Sequence, residues 1–591
     1  MEFSLPEGAD ALFLRLASPH NTLCGHDVSV FVRDVSGFTG SAALLVWGPA
    51  VKTLFVDPRY TLQAKAECPQ FDIRECTSLG LEEPMIKNWI QALGGSRCWA
   101  YDPSNISVAY FKKMKDLFPF MQWIPCSCPA APDEQTREKE GYRIPQDRTY
   151  AEKRAFILQK TQEFLAQKGL PLQKKWGLLI TSPESIAWLT NLRAKHWAAS
   201  GSCSPTFPSL FLLTPQKSFL LAPPPPAPCA EDGALAFEYC ACPPSEFGAT
   251  LAKTLASEPL NVLLFQASQM PQQLFERMPP PPALQTLDCP DACLAARSMK
   301  SPAEIASAKS IHFWEGLAIV RLMAWLRRQQ KVTEHDIAQK LEQLRKKCAL
   351  YRGPSFASIV ASGPHAAIVH YGPRATHPSP VQDNVVLLMD VGGHYEGGTT
   401  DMTRTLWRGP NPPPQNIMQT YTRVLKGLIA LNLARFPEGT TGAQLDAFAR
   451  QFLWQAGQDY AHGTGHGVGN YLAVHEGAFS VSPRGGAVPL EAGMILSNEP
   501  GFYKEGDFGI RLENLQVVVG EKFLSFETLT LAPFDAQLVD FSMLTAEEKA
   551  WLKVYHQIVC EKFKDVLSSE GESDGQEELE KNVQKFLNGE N

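Results

Sequence analysis

Val385-Val386-Leu387-Leu388-Met389-Asp390 is an apolar run that ends in a carboxylate. Val391-Gly392-Gly393-His394-Tyr395-Glu396-Gly397-Gly398 follows it, and then Thr399-Thr400-Asp401-Met402-Thr403-Arg404-Thr405. The outer pieces read as strands and the glycines between them as turns. A hairpin of this kind brings Asp390 and Asp401 close together. One aspartate at a strand end is ordinarily a cap or turn residue. Two carboxylates on facing apolar strands need compensation, because a buried charge without a partner is costly.

Three later segments extend the pattern. His462-Gly463-Thr464-Gly465-His466-Gly467-Val468-Gly469 has the H-x₃-H spacing of a helical zinc motif, but its four glycines argue against a helix. A phosphate-cradling loop would need a strand before it, and here a helical pattern precedes. Asn498-Glu499-Pro500-Gly501-Phe502-Tyr503 comes next, followed by Gly509-Ile510-Arg511-Leu512-Glu513-Asn514 and an apolar run. In that last strand, alternation puts Arg511 and Glu513 on one face and Ile510 and Leu512 on the other. Taken singly, each feature has an ordinary structural explanation. Jointly they place Asp390, Asp401, Glu499 and Glu513, four negative charges, beside one imidazole, His466. Two divalent cations would balance that charge. The oxygen-rich set with one nitrogen suits manganese, with zinc, cobalt or iron as competitors. Two such ions can share a water, deprotonate it near neutral pH and polarise an attacked carbonyl.

The rest of the chain is organised around this last third. Its 591 residues carry a net charge of −7, with 44% hydrophobic and 20% charged residues, so a clustered basic nucleic-acid footprint is not expected. The first ten residues lack the basic segment of a secretory signal, and no apolar run is long enough for a membrane span, so the cytosol is the expected location. Of the 14 cysteines, Cys126/Cys128, Cys240/Cys242 and Cys289/Cys293 are close pairs. The two Cys-x-Cys spacings do not fit a zinc site and a single C-x₃-C is a weak signal for one, so they read as reduced thiols. Proline clusters at Pro223–Pro228 and Pro279–Pro282 break the first half, and the charged stretch Asp133–Arg148 reads as a linker. Ala42–Trp47 with Thr53–Val56, and Ser209–Thr214 with Ser218–Ala222, both read as strand–turn–strand, which suggests a distant duplication. Ser301-Pro302-Ala303-Glu304 is a strong helix start, with a capping box and proline at the first helical position. Further helices are expected around Ile337–Cys348, Ile417–Leu433 and Gln444–Trp454, and a last one from the capping box Thr545–Glu548. Beyond Ser568 the acidic tail is expected to be loosely ordered.

The four segments resemble the pita-bread metallopeptidases, which include methionine aminopeptidase, prolidase, creatinase and aminopeptidase P. The family's ligand order Asp, Asp, His, Glu, Glu is complete in Asp390, Asp401, His466, Glu499 and Glu513. The long, three-domain, cytosolic X-prolyl aminopeptidases are the nearest match. They are resembled in Ala367-Ile368-Val369-His370-Tyr371, Val474-His475-Glu476, Gly509–Asn514 and Phe526–Pro533. Gly37–Ser41, Asp57-Pro58-Arg59-Tyr60 and Glu184–Arg193 resemble them moderately. The resemblance implies an α/β (α+β) architecture of a pita-bread C-terminal catalytic domain preceded by two smaller creatinase-N-like α/β domains. The expected division is 1–146, 147–298, 299–536 and a C-terminal extension 537–591.

It implies roles as well. Asp401 and Glu513 would bridge two metals, Asp390 would bind one of them, and His466 and Glu499 the other. Glu499 would also take a proton from the shared water. His370 and His475 would line the substrate cleft, Arg511 and Tyr503 would help to place a proline, and Arg59 would contact substrate from the first domain. The implied activity is release of the first residue from peptides with proline second. A prolidase-type dipeptidase and a non-catalytic binding protein on the same scaffold are the alternatives. A homodimer is implied too. The chain departs from the family at Ala194-Lys195-His196, where Gly-Ser-Asp is usual, and that bears on oligomeric state and substrate length, not on the metal ligands.

Overall fold

The computed structural model describes residues 4–16, 28–93, 97–128, 141–144, 147–170, 175–194, 204–223, 237–278, 284–373 and 378–589. Two compact units divide at Arg297/Ser298. Lys195, His196, Pro224–Pro228, Pro279–Pro282 and residues 133–140, 145 and 146 of the expected linker lie outside the described residues.

The first unit contains two six-stranded sheets of one design. In spatial order the first runs Asp72–Glu75, Val51–Val56, Ala43–Gly48, Ala11–Leu16, Arg97–Tyr101, Met121–Pro125. The second runs Glu238–Ala241, Ser218–Ala222, Leu210–Leu213, Trp176–Ile180, Val262–Phe265, Gln285–Asp288. In each, two antiparallel pairings at the centre are flanked by parallel ones. Both strand–turn–strand expectations fall at the same place in their sheets, so the suspected duplication has a structural counterpart. The linker expectation needs correction where it is described. Gly141–Arg143 is a strand paired with Leu192–Ala194. A ladder is made by backbone groups, so a charged stretch can join one without an apolar side chain.

The second unit opens on the helix Pro302–Arg327, with the capping box of Ser301 and Glu304 in place. A three-stranded antiparallel sheet, Ile359–Ser362, Val385–Val391, Met402–Arg408, carries the first aspartates. A six-stranded sheet orders Phe436–Pro437, Phe523–Thr528, Asn514–Gly520, Ile495–Asn498, Gly465–Gly467 and Glu476–Val481. The helices Gln415–Asn432 and Gly442–Trp454 cover it, and Val424, Leu425, Leu428 and Leu453 are fully buried in the core with Ile510 and Leu512. The tail is not loose: Ser573–Asn588 is a helix. Leu579, Val583 and Phe586 form an apolar stripe, all buried, which the acidic composition concealed. The tail's acids pair with the helix that opens the unit, in Arg321–Glu572 at 2.6 Å and Arg327–Glu578 at 2.9 Å, and with Lys347, 3.0 Å from Glu572.

The penultimate helix, Ala546–Ser569, buries His556 completely. Its Nδ1 lies 2.7 Å from Leu552 O, and Phe534 N–H donates to its Nε2 at 3.2 Å. One nitrogen must carry the hydrogen and the other must not, so the ring is neutral. Burial pushes its pKa down to about 3, and that of His312 down to about 4. The folded protein therefore binds fewer protons than the unfolded chain in this range. The stability these rings contribute is fully present above the ordinary histidine value of about 6.5 and is lost as pH falls toward 3. Unfolding free energy from urea titrations is expected to fall between pH 7 and pH 5, with a shallower slope in His556→Gln. An unchanged slope in that variant would show that His556 is not the group responsible.

Candidate active site

Asp390 stands opposite Thr403 in the pairing of Val385–Val391 with Met402–Arg408, and Asp401 immediately precedes the second strand. His466 arrives from the other sheet, between Glu476–Val481 and Ile495–Asn498. A Cβ on Gly465 would come within 2.0 Å of Ser497 O, and one on Gly467 within 2.5 Å of Glu476 O. Glycine on both sides of His466 is what lets three backbones approach this closely. Nδ1 of His466 is 2.9 Å from Gly467 O. A carbonyl only accepts, so Nδ1 carries a hydrogen and Nε2 is the nitrogen turned toward the acids. That Nε2 is 3.5 Å from both Asp401 Oδ2 and Glu499 Oε1.

Glu499 leaves the Ile495–Asn498 strand with its N–H donating to Thr464 O at 2.8 Å. Ser497 Oγ accepts the His466 N–H at 2.9 Å and donates to Glu499 Oε1 at 3.2 Å, tying the two together. Glu513 lies in the break between Phe508–Arg511 and Asn514–Gly520. Thr403 Oγ1 donates to Glu513 Oε2 at 2.8 Å and accepts from Arg511 Nε at 3.2 Å. Arg511 and Glu513 thus share a face, as alternation requires. Arg404, the next residue, is buried and donates to Glu513 O at 2.6 Å.

Among the described residues, the one group of three or more His, Cys, Asp or Glu side chains that gathers its donor atoms within 4.8 Å is Asp401, His466 and Glu513. Burial pushes the Asp401 carboxyl well above the usual range, and Asp390 and Glu499 add to the shift. Glu513 is pushed well above it too, by burial and then by Asp401, Glu499 and Asp390. Glu499 is raised by burial, against the pull of His466 and Arg511. Asp390 Oδ1 and Glu513 Oε1 are buried and accept no hydrogen bond. Buried acceptor oxygens without donors, in a pocket crowded with acids, are a fit for divalent cations. Replacing Ser497 by Ala is expected to weaken metal affinity by ~10-fold or more, the scale of a lost partner behind a ligand. Equilibrium dialysis measures this, and unchanged affinity would count against the placement of His466 and Glu499.

Beside this cluster runs a polar chain. Arg511 Nη2 donates to Asp390 Oδ2 at 2.5 Å and Nη1 to Tyr503 OH at 2.7 Å. Tyr503 OH is 2.8 Å from His462 Nε2, and His462 Nδ1 is 2.8 Å from Gly463 O. Nδ1 again holds the hydrogen, so Tyr503 donates into Nε2. His462 was absent from the expected site residues, although its place as the first histidine of H-x₃-H was a usable signal. Thr403, Arg404 and Ser497 carried none, since a strand residue of each type is unremarkable until its neighbours are known.

The ring of His475 is 4.3 Å from that of His466, centroid to centroid, and the residue is exposed. His370 follows the short helical turn Gly363–Ala367, which packs on Phe508–Arg511 so tightly that a Cβ on Gly509 would meet Ala366 O at 1.8 Å. The next residue, Tyr371, donates to the buried Glu334 Oε2 at 2.7 Å. Arg59 stands in the first unit, with Nε 2.8 Å and Nη2 2.7 Å from the two Asp57 oxygens.

The second unit has the pita-bread fold, and its acid-rich cluster is of the metallohydrolase kind. Comparison with known proteins gives the family. Residues 315–520 match metallopeptidase family M24, 522–586 the C-terminal region of peptidase M24, and 32–131 the creatinase/prolidase N-terminal domain. A protein named probable Xaa-Pro aminopeptidase P from Botryotinia fuckeliana is 34% identical over 566 residues, covering 90% of this chain and 84% of that one. One of the same name from Fusarium vanettenii is 33% identical over 588 residues, covering 90% and 89%. The crystal structure of X-prolyl aminopeptidase from Caenorhabditis elegans, described as a cytosolic enzyme with a di-nuclear active site, superposes with a TM-score of 0.81 at 26% identity, over 97% of this chain and 95% of that one. The chain belongs to the Xaa-Pro aminopeptidase P family of M24 metallopeptidases.

Proposed function

We propose that the protein is a metalloaminopeptidase that releases the N-terminal residue from peptides with proline in second position. The observation that carries the reading is the Asp401–His466–Glu513 donor group, in a chain whose length aligns with Xaa-Pro aminopeptidase P relatives. Asp401 and Glu513 would bridge two divalent ions, Asp390 would hold one, and His466 and Glu499 the other. Bound there, the ions would supply a water of lowered pKa and a polarised carbonyl. Manganese is proposed on the oxygen-rich donor set, with zinc or cobalt as competitors.

The chain's own groups do the rest. Glu499, tied to His466 through Ser497, would take the proton of the attacking water. His370 and His475 hold the peptide and the developing charge. Arg511 holds Asp390 in place through its Nη2 and, with Tyr503, shapes the place for a proline. A prolyl nitrogen lacks a hydrogen and its ring fixes φ, so a dedicated subsite is needed for this amide. A homodimer and residence in the cytosol are proposed from the family. Phe448 and Trp454, large apolar residues on one helix, are 42% and 48% exposed, which suits an interface. A monomer in sedimentation velocity would overturn the dimer. Among the described residues no helix is long and apolar enough to cross a membrane.

The test uses protein stripped of metal and reloaded with manganese. Ala-Pro-Ala is expected to be cleaved fastest and Ala-Pro slowly, with Ala-Ala-Ala and N-acetyl-Ala-Pro-Ala hardly touched. Preferred cleavage of the dipeptide would favour the prolidase reading. Equal cleavage of Ala-Ala-Ala would remove the proline subsite, and efficient cleavage of the acetylated peptide would remove the aminopeptidase assignment.

A further inference from the structure

A buried ion pair lies one residue from both site histidines. Lys300 Nζ bonds Glu476 Oε1, and both side chains are 0% exposed. Glu476 follows His475 directly and pairs with Gly467, the residue after His466. The ladder fails at this point. Gly465 faces Val481 and His466 faces Ser480, but Gly467 faces Glu476, so Gly477, Ala478 and Phe479 bulge out of the strand. A bulge leaves its residues without ladder partners, and its register must be held by something else. Lys300 is suited to hold it, because its own place is set twice over. Its N–H donates to Gly493 O at 3.0 Å and its Nζ also reaches Ser298 O at 3.3 Å.

Two charges taken wholly out of water gain little over an apolar pair of the same size, and the best-attested use of such a pair is to specify one register. We propose that Lys300 is a positioning residue that acts through Glu476 to set where His475 stands beside His466. The inference rests on the reading of His475 as a substrate-binding and catalytic group.

The test compares Lys300→Met/Glu476→Leu, which fills the site without charge, with His475→Ala and with the two combined. The full-length, metal-loaded protein is used throughout. The double variant is expected to unfold at or above the parent's temperature and to keep the parent's metal content. Its kcat is expected to fall by roughly 10-fold to 10²-fold, as reacting groups lose alignment. Adding His475→Ala should then bring the total loss no further than His475→Ala alone brings it in the parent, since coupled residues are not additive. Lys300→Arg should retain most of the activity. Should the apolar pair fail to fold, Glu476→Asp draws the carboxylate back by one methylene and should lower kcat with metal content unchanged. Parent-like kcat and KM in the apolar pair, or in Glu476→Asp, would overturn the inference while leaving the role of His475 intact. A fully additive loss, or a matching loss of metal, would overturn it as well. An inert His475→Ala in the parent would overturn both the inference and the reading beneath it.

Discussion

Asp401→Asn and Glu513→Gln are each expected to leave a folded protein with almost no peptidase activity. Each change removes an oxygen donor from the tightest cluster of ligand atoms in the described chain. The electrostatic and nucleophile-generating help of a metal pair is worth several kcal/mol, so the loss should be on the order of 10³-fold or more. Elemental analysis should find fewer than two metals per chain. Full turnover by protein shown to hold no metal would sink the reading. A stability measurement gives an independent check. In metal-stripped protein both carboxyls have folded pKa values raised well above the unfolded ones. A raised value stabilises the fold below the unfolded pKa of about 4, and that contribution is lost as pH rises through the folded value. Metal-stripped parent should therefore weaken as pH rises from about 4. Metal-stripped Asp401→Asn should melt several degrees above metal-stripped parent at pH 8, with the gap closing near pH 4. A gap that does not vary with pH would show that Asp401 is not strained by its charge.

His370→Ala and His475→Ala are expected to lower kcat/KM by ~10²-fold each, the scale of a lost proton-transfer or transition-state donor. Metal content should stay with the parent. The geometry motivates the separation. His466 directs Nε2 at Asp401 and Glu499, whereas His475 is an exposed ring beside it, and His370 belongs to a turn anchored by Tyr371 on Glu334. Loss of metal in step with activity would mean that the two histidines are ligands.

The elements that carry the site were readable because each rests on local signals. Ser301 and Glu304 marked a helix start by their spacing, and the structure has that capping box. The apolar run to Asp390 marked a strand, and the glycines around His466 argued against a helix there. The tail after Ser568 misled because composition was read without phase. Its acids dominate the count, while Leu579, Val583 and Phe586 recur at a helical interval. Thr403 and Ser497 could not be picked out from sequence. Each matters only because it touches two groups that lie far apart in the chain, Glu513 with Arg511, and His466 with Glu499.

The sequence by itself pointed to the α/β architecture, to the family, and to the five residues proposed as metal ligands. Their types recur in one order on apolar segments, and acids crowded together in a low-dielectric site call for compensating charge. Tertiary structure alone decided how those residues are held. Two sheets meet where Asp401 and Glu513 approach His466, and the carbonyl of Gly467 fixes which nitrogen of that ring is free. A distant Lys300 reaches the strand beside it. Such facts depend on distances between segments separated by many residues, and a linear pattern of residue types carries no record of them.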